Sequence, residues 1–221
     1  MSIQLEVWGD YACFTRPELK VERVSYDVMT PSAARGLLES IFWHPGLRYV
    51  IRNIYVMNPI SFTSIRRNEV KSGVSWKSVK AAMEGKQPDL YLCPKDGEQQ
   101  QRAALVLRDV HYVIDAYFVM TENASPSDNP GKFCEMMRRR AEKGQCYHEP
   151  YFGTREFPVS FRPWQGGPIP TAYPEETKDL GLMLYDMDYS DPNNILPMFF
   201  RATLDKGVLH VPEPGSEEVL R

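Results

Sequence analysis

The stretch "ALVLRDVHYVIDAYFVM", Ala104 to Met120, decides the fold. Val110, Tyr112, Ile114, Ala116 and Phe118 recur at period two and so share one face of a strand, with His111 on the other. The run is far longer than the ordinary strand of about 5–6 residues, which predicts a central strand. On its N-terminal side, residues 61–100 show no clear period and carry Lys/Arg and Gln runs, the pattern of a long insertion built as a hairpin. Before that lies a second strand, "LRYVIRNIYVMNPI", closed by Pro59. A helix precedes it in "TPSAARGLLESIFWH". There Thr30 suits the cap and Pro31 the first helical position, while Ala34, Leu37, Leu38, Ile41 and Phe42 form one apolar face. Ile3, Leu5 and Val7 alternate as a first strand that Gly9 ends.

On the C-terminal side, "DNPGKFCEMMRRRAEKG" predicts a second helix capped by Asp128 or Asn129, with Phe133, Met136, Met137 and Ala141 inward. "YFGTREFPVSF" predicts a strand that starts after a glycine turn. The order β-α-β, insertion, β-α-β is that of an α+β, ferredoxin-like domain of the RNA-recognition plan over residues 1–161, with the insertion at 61–100. "GLMLYDMDYS" and "PMFFRATLDKGVLHV", the latter with a Lys206-Gly207 turn, predict a small antiparallel β appendage over 162–221.

The 221 residues carry a net charge of -3, unevenly spread. From Pro174 onward there are ten acidic and four basic residues, which leaves 22 basic and 19 acidic before it. Two basic clusters stand out on this mildly acidic chain: "SIRRNEVKSGVSWKSVKAA", with Arg66, Arg67, Lys71, Lys77 and Lys80, and the second helix, with Lys132, Arg138, Arg139, Arg140 and Lys143. Such clusters suit local recognition of a polyanion. No apolar run reaches 18 residues and the N-terminus alternates like a strand, so we expect no membrane association and a cytoplasmic protein. The four cysteines form no CxxC pair, so they are read as reduced thiols and neither a metal site nor a cofactor is implied.

Five blocks carry a resemblance. These are "VWGDYACFTRPELKVERVSYDVMTPSAARGLLESIFWHP", "IRRNEV", "QQQRAALVLRDVHYVIDAYF", "GKFCEMMRRRAEKGQ" and "YFGTREFPVSF". Together they resemble the Cas-five family of CRISPR-associated proteins, in the subtype of the type I-C system. The resemblance implies a ferredoxin-like domain with a C-terminal β-sheet. It also implies a metal-independent endoribonuclease that cuts the repeat in precursor CRISPR RNA and keeps the 5′ handle within a surveillance complex, among that complex's other subunits. The alternative is a catalytically silent subunit that only holds the guide RNA; an unrelated RNA-binding module is the third reading.

Cutting RNA without a metal needs a base for the 2′-OH, an acid for the leaving 5′-oxygen and a cation for the phosphorane. The trio that the resemblance implies is a tyrosine at the end of the first helix and a lysine-histidine pair opening the second. Phe42 stands at the tyrosine position, and Lys132 and Phe133 at the pair. Only the lysine remains, in a first turn where the helix dipole disfavours a cation unless an anion such as phosphate is present. His44, His148 and Tyr147 are the substitute acid–base candidates, with His210 in the acidic appendage. For RNA contact the candidates are Tyr11 and Tyr26 for stacking, with Phe14 either stacking or in the core. Arg16, Lys20, Arg23, Arg66, Arg67, Arg138 and Arg139 are the candidates for phosphates.

Overall fold

The computed structural model describes residues 2–19, 21–88, 90 and 97–221. The α-helices and strands among these residues are β1 (Ile3–Ala12), β2 (Arg23–Val24), α1 (Pro31–Ile41), β3 (Leu47–Val56), β4 (Phe62–Val70), α2 (Trp76–Met83), β5 (Gln99–Met120), α3 (Pro130–Glu142), β6 (Ser160–Pro163), β7 (Thr177–Asp188), β8 (Leu196–Asp205) and β9 (Val208–His210). The result is a mixed α/β protein with one large sheet, antiparallel apart from the short β2–β5 pairing, and few helices. The main path of the sheet runs β6-β1-β5-β3-β9-β8-β7.

β5 is the strand on which the others assemble. Its 22 residues bend at Asp109, a non-glycine residue held at φ 52°. Beyond the bend, β1 pairs on one edge (Ile3↔Ala116) and β3 on the other (Ile54↔Ile114). Before it, β4 takes over the second edge from Phe62↔Leu107 to Val70↔Gln99, while β2 lies parallel at Arg23↔Ala104. The expected insertion at 61–100 therefore opens on β4, which forms a hairpin with the first part of β5, mostly beyond residue 100, and it holds an eight-residue helix, α2, with no buried residue.

Helix starts follow the local chemistry. The Thr30 side chain accepts from Ala33 N–H and that of Asn129 from Lys132 N–H, each ahead of a proline in the first turn. α1 packs on β3 and β7, and α3 on β6 and α1. Leu5, Leu38, Ile41, Tyr112, Ile114, Phe133 and Met137 fill one core, which continues through Met183, Phe200, Leu204 and Leu209. The C-terminal strands extend the same sheet: β9 pairs with β3 at Asn53↔His210, after a Lys206-Gly207 turn with both residues at positive φ.

On the sheet face away from this core lies an ion network. Glu6 is buried; it accepts from Arg162 Nη2 at 2.9 Å and from Nε, and its Oε1 lies 2.9 Å from His111 Nε2. The Arg162 bond, ahead of His111, holds the Glu6 carboxyl below its ordinary range against the cost of burial. Asp115, also buried, accepts from Ser2, Arg52 and Asn53.

Two sequence expectations need correction. Gly9 does not end β1, which runs on to Ala12. A Cβ there would meet Pro158 O at 2.9 Å and the Phe152 ring, so this glycine permits a close approach. In "YFGTREFPVSF" only a Tyr151↔Pro158 bridge forms around the glycine turn, and the strand starts at Ser160. The turn glycine, Gly153, has φ +80°, and a Cβ on it would lie 2.0 Å from Cys13 O. We expect Gly153→Ala to cost more than about 3 kcal/mol, because backbone must move as well as strain. Chemical denaturation measures this, and a loss under about 1 kcal/mol would contradict the geometry.

Candidate functional site

The start of α3 and the end of α1 meet at one polar cluster. α1 stops at Ile41, and the Phe42 N–H closes its last turn on Leu38 O. Arg140 from α3 donates to Ile41 O at 2.8 Å with its guanidinium 5.4 Å over the Phe42 ring, placing a cation where the helix end favours one. His44 follows in the connecting loop and lies 4.8 Å, ring to ring, from Phe133. Phe42 and Phe133 themselves are core residues, 5.9 Å apart and at most 3% exposed. Neither reaches solvent.

Asp128 organises this cluster. Its Oδ2 accepts from Ser125 N–H at 3.0 Å and lies 3.8 Å from His44 Nδ1, while Lys132 Nζ donates to its Oδ1 at 3.3 Å. The Ser125 N–H first, with the Ser125 hydroxyl, Lys132 and His44 adding, lowers its pKa, so it stays ionised at neutral pH. Asp128 resolves the dipole conflict at Lys132 without any external anion, which the sequence argument did not foresee. Gly46 N–H donates to His44 Nδ1 at 3.0 Å. In the neutral ring that acceptor role leaves the proton on Nε2.

Lys132 and His44 therefore come together, whereas Tyr147 and His148 occupy another place. Both of their backbone N–H groups donate to Ser40 O, at 2.8 and 3.1 Å, and their side chains line a groove along α1.

The candidates for RNA contact divide sharply. Tyr26 is 2% exposed and Phe14 is buried, so neither offers a face to a base. Tyr26 instead supports Arg16, whose guanidinium lies 4.5 Å over its ring and bonds Asp27 at 3.0 Å. Arg23 and Arg67 converge on Glu156 and Glu69. Arg138 is bracketed by Glu135 and Glu142 at 2.6 and 2.7 Å. Arg66 and Arg139 are exposed and have no carboxylate partner among the described residues, as have Lys71, Lys77 and Lys80 beside β4 and on α2. Tyr11 remains available, exposed beside Phe157. Lys20 lies outside the described residues. Among the described residues no cluster of His, Cys, Asp or Glu suits a metal ion, and no helix is long and apolar enough to cross a membrane.

Comparison with known proteins gives consistent matches. The family model described as CRISPR-associated protein (Cas_Cas5), in its Cas5d form, matches residues 2–212. A protein of Mannheimia succiniciproducens named CRISPR pre-crRNA endoribonuclease Cas5d is 51% identical over 99% of this chain and 98% of its own. One of the same name from Thermus thermophilus is 40% identical over 99% and 95%. Among solved structures, one titled as a CRISPR-associated protein and one of a functionally uncharacterized protein from Streptococcus mutans superpose with a TM-score of 0.69 each. They are 21% and 24% identical, and each alignment covers all of this chain and 97% of the other; at that identity they speak for the fold.

The Gly46 contact makes a direct expectation. Side-chain nitrogen NMR should find the neutral form of His44 as the Nε2–H tautomer, and Asp128→Asn should keep it so. A dominant Nδ1–H form would show that Asp128, not Gly46, orients the ring.

Proposed function

The chain belongs to the Cas5d branch of the CRISPR-associated Cas5 family, and from that premise we propose that it binds and cuts the repeat of precursor CRISPR RNA. One observation carries this: full-length identity of 51% to a protein named for that activity. The strand order β6-β1-β5-β3 with α1 and α3 between supports a ferredoxin-like reading of residues 1–161, with 61–100 as its insertion and 162–221 as its appendage. Working in the cytoplasm, the protein keeps the 5′ handle and joins the other subunits of a type I-C surveillance complex.

The reaction needs no metal. The RNA 2′-oxygen attacks phosphorus, the bond to the 5′-oxygen breaks, and a 2′,3′-cyclic phosphate and a 5′-OH result. Lys132, nearly half exposed and tied to Asp128, swings to the phosphorane and compensates its charge. His44, once protonated, gives up the Gly46 N–H contact at Nδ1, turns that N–H toward Asp128, whose Oδ2 lies 3.8 Å away, and gives its Nε2 proton to the leaving oxygen. The 2′-OH proton goes to water. With Phe42 and Phe133 buried, a two-sided acid–base pair is not assembled here, and the rate should be modest for that reason.

Single-turnover cleavage of repeat RNA in EDTA tests this. We expect cyclic-phosphate product, a fall of about 10²–10⁴-fold in His44→Ala, and a fall of about 10²-fold or more in Lys132→Ala with RNA affinity little changed. No cleavage by the wild type in EDTA would leave the silent guide-RNA-binding subunit standing. Phosphate contacts have their own signature. Arg139→Ala and Arg66→Ala should each weaken binding and reduce the salt slope by about 0.7–0.9. Arg138→Ala, already neutralised by two glutamates, should change the slope far less, and an equal drop would show that its ion pairs open on binding.

A further inference from the structure

Along α1 runs an open groove of about 1180 Å³. Trp43, Tyr147, Tyr151 and Tyr189 line it, at 59%, 75%, 40% and 61% exposure. Four exposed aromatics around one concavity have no role in the core, nor in the cluster of His44, Asp128 and Lys132. The groove nonetheless adjoins that cluster, because Trp43 immediately precedes His44. Its far wall is tied to the same helix end by the two N–H bonds onto Ser40 O.

Its charges are nearly balanced. Arg35 is held by Asp186 through a pair of bonds at 2.9 and 2.8 Å and by Glu39 at 2.8 Å, so its charge is spent. Arg35 offsets only one of its two carboxylates and Arg155 stands against Glu149, so the groove carries one carboxylate more than its two arginines balance. Such a surface has little power to track a phosphate backbone. It is suited to hold flat, uncharged π-faces.

We propose that this groove receives a single-stranded flank of the precursor RNA as it leaves the cleavage cluster, with bases stacked on Trp43 and Tyr147. The proposal rests on the reading of the chain as a precursor-RNA nuclease and adds where the unpaired substrate goes. Duplex is excluded because its bases are already stacked on one another and offer no free face. Binding here is carried by stacking, whereas the cations of β4, α2 and α3 carry the salt-dependent part.

The test measures affinity for the repeat hairpin alone and with a short single-stranded extension on its 5′ or 3′ side. Trp43→Leu and Tyr147→Ala, both at exposed positions, should each lower affinity for one of the extended RNAs by about tenfold. The hairpin alone should bind as before, the salt slope should not change, and Trp43→Phe should retain most of the affinity. The extension that responds identifies the flank. Unchanged affinity for both extended RNAs in Trp43→Leu would overturn the proposal and leave the groove as a protein-docking surface. Equal loss for the hairpin alone would also overturn it, by placing these side chains in the hairpin contact. Failure of the wild type to bind any repeat RNA would instead sink the underlying reading of function.

Discussion

The hydrogen-bond ladders on the two edges of β5 are the constraint from which the rest of the structure follows. β1 occupies one edge and β3, then β4, the other, so β5 runs from the packed body into the hairpin. Because every residue of a strand alternates faces, a slip of one position would turn Tyr112, Ile114 and Ala116 out of the core at once. The register is thus over-determined by apolar burial in the second part of the strand. The first part inherits it through Asp109.

What was legible in the sequence was local. The Thr30 and Asn129 caps, the prolines after them and the Lys206-Gly207 turn depend on residues within a few positions of one another, and each is found as read. The central strand was legible from its length and period. Gly9 misled because a glycine that admits Phe152 and Pro158 looks, in one dimension, like one that breaks a strand. Tyr26 misled likewise, since an aromatic among charges is as well explained by an arginine stacked on its buried ring as by a base.

The candidate site was half legible. Lys132 and His44 were picked separately, by helix position and by residue type, and the tertiary fold joins them through Asp128. Asp128 itself was seen only as a cap candidate. Counting cations along the chain overstated the basic surface, because Arg23 and Arg67 meet a partner remote in sequence, Glu156, and Arg138 is held by its helix neighbours Glu135 and Glu142. Exposed ion pairs add little stability, median about 0–1 kcal/mol. Their larger effect is to decide which arginines have any field left for a ligand.

The ion network on the open face of the sheet has a consequence for how this protein can meet nucleic acid at all. RNA-recognition modules read bases across that face, from aromatics on their two central strands. On the ferredoxin-like reading proposed above, the corresponding strands are β1 and β5; they place Glu6 and Asp115 at its centre, and Arg162, Arg52 and Asn53 donate to those carboxylates. A phosphate arriving there would have to evict a resident anion that is already desolvated and bonded, in exchange for contacts no better than those lost. On the proposed function, the familiar reading surface is in effect occupied by the protein's own chain, which leaves the polynucleotide to the helical side and the hairpin.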